Sequence, residues 1–120
     1  MNASPSIIVL DASLSGESAG PRADAILSGA PRALAANQYA EPRGEFYCGS
    51  WSASPGRWRV SYTEHEFCVI LAGRVRIESR DGARLEFGSG DAFVVPAGFE
   101  GTWEVLEPCR KWYAVYEPKV

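Results

Sequence analysis

The chain has 120 residues, the size of a single domain, with 46% hydrophobic and 22% charged residues. That balance excludes wholesale disorder and a multi-pass membrane protein. Twelve Lys and Arg against fifteen Asp and Glu give a net charge of −3, so the basic footprint of a duplex nucleic-acid binder is missing.

The first apolar run is Ile7-Ile8-Val9-Leu10, with no basic residue before it. It is too short for a signal peptide or a spanning helix, so the sequence reads as cytoplasmic with no membrane partner. Residues 7–10 are expected to form one strand, available to a neighbouring subunit. Residues 1–38 contain no aromatic residue and cannot bury enough apolar surface to fold alone. Residues 1–40 therefore read as an N-terminal arm, partly irregular, packed on the rest of the chain or on a partner subunit. A short helix is expected over 23–27 or 32–36.

From Glu45 onward, short apolar runs alternate with Gly, Pro and Asp. Strands are expected near 45–52, 57–63, 66–72, 74–79, 83–87, 91–95, 102–106 and 110–117. The breaks between them include Ala72-Gly73, Asp81-Gly82, Gly88-Ser89-Gly90, Pro96-Ala97-Gly98 and Glu107-Pro108. Strands this short and this regularly spaced point to an all-β sandwich or barrel over 41–120. Asp81-Gly82 predicts a two-residue type I′ hairpin turn. Gly73 and Gly90 mark reversals of direction, and Pro96 ends a strand. The three cysteines, Cys48, Cys68 and Cys109, form no C-x-x-C pair and read as free thiols of a reducing compartment.

Glu66 and Gly73 fit the E-x6-G ending of the first cupin motif, G-x5-H-x-H-x3,4-E-x6-G. Gly90, Pro96 and Gly98 fit G-x5-P-x-G, the opening of the second motif. The phrases Gly101-Thr102-Trp103 and Arg110-Lys111-Trp112-Tyr113 resemble one branch of the cupin superfamily. That branch is typified by the ureidoglycine aminohydrolase cupin domain and the ethanolamine-utilisation cupins. The resemblance implies a small antiparallel jelly-roll β-barrel, commonly a homodimer. It tilts any small-molecule ligand towards amines, amides or ureides.

The chain departs from the family's metal-binding pattern. Where the first motif has H-x-H, this chain has Arg59-Val60-Ser61 or Val60-Ser61-Tyr62, according to spacing. Where the second motif has its histidine, it has Gly101. Of the usual ligand set only Glu66 remains, so no metal and no other cofactor is expected. The sole histidine, His65, adjoins Glu66 in sequence, and period two places it on the opposite face of the strand.

With Glu66 inward, Cys68 and Ile70 follow inward on the same strand, and the Trp58, Val60 and Tyr62 face of the preceding strand is the buried one. Trp51, Phe93, Trp103 and Tyr113 are expected to complete an aromatic lining. One carboxylate in an aromatic-walled cavity is a plausible small-molecule pocket, and desolvation would make Glu66 a candidate general acid or base. Cys68 as a nucleophile would need an activating base or cation, and His65 is on the wrong face to supply one. For Arg110 and Lys111 the plain expectation is a salt bridge with Glu104 or Glu107, with one of the two turned inward.

Three functions fit these residues. The first is a metal-independent protein that binds a small polar metabolite at Glu66, with Trp51, Trp58, Tyr62, Cys68, Phe93, Trp103 and Tyr113 around it. The second is a hydrolase or isomerase that uses Glu66 as general acid/base. The third is an accessory subunit with a filled core. A cavity of about 300 Å³ beside Glu66 separates the first two from the third.

Overall fold

The computed structural model describes residues 4–120. The elements run β1 Glu17–Ser18, a 3-10 turn Ala23–Ala25, β2 Ile26–Gly29, β3 Ala33–Ala40, β4 Phe46–Ala53, β5 Gly56–Ser61, β6 His65–Ser79, β7 Arg84–Gly88, β8 Ala92–Val95 and β9 Glu100–Tyr116. All pairings are antiparallel and the strands form one curled sheet of jelly-roll type. Among the described residues no helix is long and apolar enough to cross a membrane.

The two longest strands, β6 and β9, form the spine. The early half of β9 lies between β5 and the late half of β6, and its late half lies between β4 and the early half of β6. The strands expected at 66–72 and 74–79 are thus one strand, and so are those at 102–106 and 110–117. The punctuation Ala72-Gly73 and Glu107-Pro108 does not break them, because the two sites oppose each other. The register slips between Ile70 and Ala72, again before Arg74, and again before Val75. Both strands kink there together. Gly73 has φ +84°, and a Cβ on it would meet the Pro108 carbonyl oxygen at 2.1 Å. Gly73 is therefore a bulge residue in mid-strand, not a reversal.

Of residues 32–36, all but Arg32 lie in a strand, not a helix: β3 pairs with β4 from Ala33↔Ala53 to Ala40↔Tyr47. The ladder supplied by β4 outweighs the weak local helix preference of alanine. Residues 23–27 hold only the 3-10 turn before β2 begins. Residues 7–10 pair with no strand among the described residues, and Ile7 and Val9 are 88% and 85% exposed. The chain is tied down just after them, where the Asp11 amide donates to Gln38 Oε1 and Gln38 Nε2 donates to the Asp11 carbonyl. The Asp81-Gly82 hairpin is not type I′, since only Gly82 has a positive φ. The Gly82 amide donates to the Ser79 carbonyl and the Ser79 amide to the Ala83 carbonyl, which describes a three-residue loop with glycine in the left-handed position.

The core lies inside the curl. Ile70, Val75, Val105, Cys68, Cys109 and Trp103 are almost wholly enclosed, with Trp58, Ile77, Ala33 and Ala53 against them.

Two glycine substitutions separate strain from collision. Gly73→Ala combines a left-handed backbone with a backbone clash and should lower the unfolding free energy by about 2–4 kcal/mol. Gly90→Ala keeps φ +91° but meets nothing within 4 Å, and should cost about 1–2 kcal/mol. Urea unfolding of both variants checks the order; equal losses would contradict the packing at the kink.

Candidate functional site

Period two on β6 carries Glu66, Cys68 and Ile70 into the interior, and on β9 it carries Cys109, Lys111, Tyr113 and Val115 there. Lys111 is 3% exposed. Its ammonium donates to Glu66 Oε2 at 2.9 Å and to Cys68 Sγ at 3.4 Å. It also lies 4.5 Å from the Trp51 ring centroid and 4.3 Å from that of Trp103, within cation–π range. The other Glu66 oxygen accepts from the Tyr62 hydroxyl at 2.7 Å. Tyr62 is fixed in turn by its backbone, whose amide donates to the Phe99 carbonyl and whose carbonyl accepts from the Gly98 amide. The result is a buried relay, Tyr62 to Glu66 to Lys111, laid against two indole faces.

Burial opposes the Lys111 charge, but the Glu66 carboxylate and the Cys68 sulfur outweigh it, and the net direction of its pKa is upward. Burial pushes the Cys68 thiol up to about 12 despite the nearby ammonium, so Cys68 is a neutral thiol and a poor nucleophile. Burial, with the Glu66 charge behind it, raises Tyr62 as well, and the phenol keeps its proton.

A cavity of about 1150 Å³, open to solvent, leads to this relay. Tyr47, Trp51, Trp58, Tyr62 and Tyr113 line it together with Glu64 and Glu66, and charged side chains of both signs, among them Arg22, Arg59, Arg80, Glu78 and Glu100, line it as well. Tyr113 meets Tyr47 edge-on at 6.4 Å and donates its hydroxyl to Asn37 Oδ1. A smaller cavity of about 130 Å³ lies behind, lined by Trp51, Trp58, Val60, Tyr62, Glu66, Trp103 and Lys111 among others.

The structure thus brings together Glu66, Tyr62, Trp51, Trp58, Trp103 and Tyr113. Two of the expected lining residues do not line either cavity. Phe93 lies behind Trp103 and stacks on Phe87 at 4.0 Å. Cys68 is wholly buried beneath Lys111. His65 is on the outer face, where its Nδ1 accepts from the Ala97 amide and its ring stacks on Tyr116. The expected salt bridge of Arg110 or Lys111 with Glu104 or Glu107 does not form. Glu104 pairs with Arg76, Lys111 with Glu66, and the Arg110 guanidinium donates to the Ala12 carbonyl. Sequence reasoning placed one of Arg110 and Lys111 inward but missed the pairing of Lys111 with Glu66, and it missed Tyr47. The signal for Lys111 was its parity with Tyr113 on one strand.

A divalent metal does not fit this residue set. On the shorter spacing back from Glu66, Val60 offers no donor atom and the Tyr62 hydroxyl is committed to Glu66; on the longer one, Arg59 and Ser61 are exposed and Arg59 donates to the Asp24 carbonyl. Gly101 cannot carry a ligand, because a Cβ there would meet the Glu78 carbonyl oxygen at 2.0 Å. The side of Glu66 that faces the interior already holds an ammonium. Among the described residues no three His, Cys, Asp or Glu side chains cluster to hold a metal ion.

Removing either member of the buried pair leaves an uncompensated charge. Glu66→Gln and Lys111→Met should each cost about 3–5 kcal/mol, and the double variant far less than their sum. Denaturant unfolding of the cycle measures the coupling; additive losses would contradict a pair. The pH dependence follows from the upward shift of Lys111. Its stabilisation is complete below its ordinary value of 10.5 and is lost as pH rises through the higher folded value. The wild type should therefore keep its melting-temperature advantage over Lys111→Met up to about pH 10 and lose it above. An advantage that fades near neutrality would contradict the assignment.

The model of the EutQ-like cupin domain family matches residues 40–113. Solved structures share the architecture. A DUF861 family protein of unknown function from Pseudomonas syringae pv. tomato superposes with TM-score 0.80 at 24% identity, over 88% of this chain and 46% of that one. The EutQ protein of Clostridium difficile gives 0.66 at 18% identity, over 74% and 65%. A DUF861 family protein from Thermotoga maritima gives 0.52 at 34% identity, over 53% and 73%. The chain thus spans about half of the Pseudomonas protein and under two-thirds of the clostridial one. No curated protein matches it significantly. The curled sheet, the motif glycines and the matched residues together place the chain in the cupin superfamily, in the EutQ-like cupin domain family.

Proposed function

We propose that the domain binds a small polar metabolite of the amine, amide or ureide class at the open end of the barrel, without a metal ion. The observation that carries this reading is the aromatic cavity that ends on Tyr62 and Glu66. Aromatic walls with a few convergent polar groups are what small-ligand sites share. Lys111 takes the place of a bound cation: it neutralises Glu66 and fixes the carboxylate from behind. The tilt towards ligands that bring N–H groups comes from the family resemblance, and carboxylates such as Glu64 in the cavity lining are compatible with it.

Binding is favoured over acid/base catalysis by Glu66. Both of its oxygens already accept a hydrogen bond, one from Tyr62 and one from Lys111. A carboxylate held in that way serves better as a fixed acceptor than as a group that exchanges its proton in each turnover.

Thermal-shift screening of small amines, amides and ureides, with and without a chelator, tests the proposal. A ligand at 100 times its dissociation constant should add about 2.7 kcal/mol to stability, equally in both conditions. Trp58→Ala should remove the effect. Stabilisation that requires a divalent metal, or none from any compound, would overturn it.

A further inference from the structure

Among the described residues Trp103 Nε1 is the one buried side-chain nitrogen or oxygen without a hydrogen-bond partner. Trp103 is 2% exposed. An unpaired buried donor carries a desolvation cost, so native structures seldom keep one without a use. The indole N–H lies towards the Tyr62 hydroxyl but does not meet hydrogen-bond geometry with it. Both residues line the inner cavity of about 130 Å³, together with Glu66 and Lys111. That cavity has room for about four waters, at roughly 30 Å³ each.

The chemistry of the walls defines what fits. Trp103 Nε1 can only donate, so it requires an oxygen acceptor. The Tyr62 hydroxyl donates its one hydrogen bond to Glu66, so towards a ligand its oxygen can only accept. Glu66 and Lys111 already balance each other, and a further charge placed against this buried pair would be uncompensated. The Trp58 and Trp103 rings stack on each other, 6.5 Å between centroids and 19° apart, and both contribute to the cavity lining. A neutral planar group with one carbonyl oxygen and one or more N–H bonds meets every demand at once.

We propose that the inner cavity is a subsite for a small carboxamide group, with Trp103 Nε1 donating to its carbonyl oxygen and the Tyr62 oxygen accepting from its N–H. This rests on the reading of the outer cavity as a ligand pocket and narrows the ligand's buried end to the amide class. Trp103 is then a specificity-determining residue: amines and carboxylates of the same size lack the matching set of groups.

The test uses the full chain, labelled with nitrogen-15, and acetamide as probe. The indole resonance absent from Trp103→Phe should move downfield as acetamide is added and saturate. Trp103→Phe should weaken acetamide at least tenfold, and Tyr62→Phe should weaken it while leaving the indole shift in place. Acetate and methylammonium should produce no saturable shift. Equal acetamide affinity in the wild type and Trp103→Phe overturns the subsite, as does a preference for acetate. Should Trp103→Phe not fold, full acetamide affinity in Tyr62→Phe overturns it. If acetamide fails while a screened ligand still binds and depends on Trp58, the subsite alone falls. If no compound binds at either place, the pocket reading falls with it.

Discussion

The ion pair between Lys111 and Glu66 is the constraint on which the site depends. Two charges are held in a core otherwise made of indole rings, aliphatic side chains and thiols. Such a pair contributes little net stability, but losing either partner is costly. Its main effect is therefore on uniqueness. A one-residue slip between β6 and β9 would turn Lys111 or Glu66 outward and leave the other charge stranded. The pair locks the register of the two strands that make up the spine.

The kink at Gly73 and Pro108 has a matching role in three dimensions. Trp103 and Lys111 lie on the same strand, eight residues apart. A straight strand would separate them by about 26 Å, yet the Lys111 ammonium is 4.3 Å from the Trp103 ring. Only a strand folded sharply between them allows this contact. The bulge thus joins the two halves of the barrel into one lining. The early half of β9 supplies Trp103, while the late half supplies Lys111 and Tyr113.

How much of this the sequence showed follows from what each pattern encodes. Alternation along 66–70 and 58–62 placed Glu66 and Tyr62 correctly with respect to the interior, because a strand's period is indifferent to its partners. Motif glycines located the fold. The kink was misread as two breaks because glycine and proline mark both turns and bulges, and only the opposing strand decides between them. The helix expected at 32–36 failed for a similar reason: alanine-rich segments take their structure from the ladder beside them. The pairing of Lys111 with Glu66 escaped because lysine is rarely buried, and its partner is 45 residues away in sequence. Phe93 faces the core, but the sequence could not show that Trp103 stands between it and the cavity.

The buried ammonium also bears on how such a barrel can change over time. A histidine at position 60 or 62 would find the carboxylate already neutralised, and a divalent ion beside Lys111 would meet a like charge. Position 101 is closed to any side chain while the Glu78 carbonyl stays where it is. Removing Lys111 first would strand Glu66. Every single step towards a metal centre at these positions therefore passes through a less stable protein, and Lys111 acts as a latch against such a change.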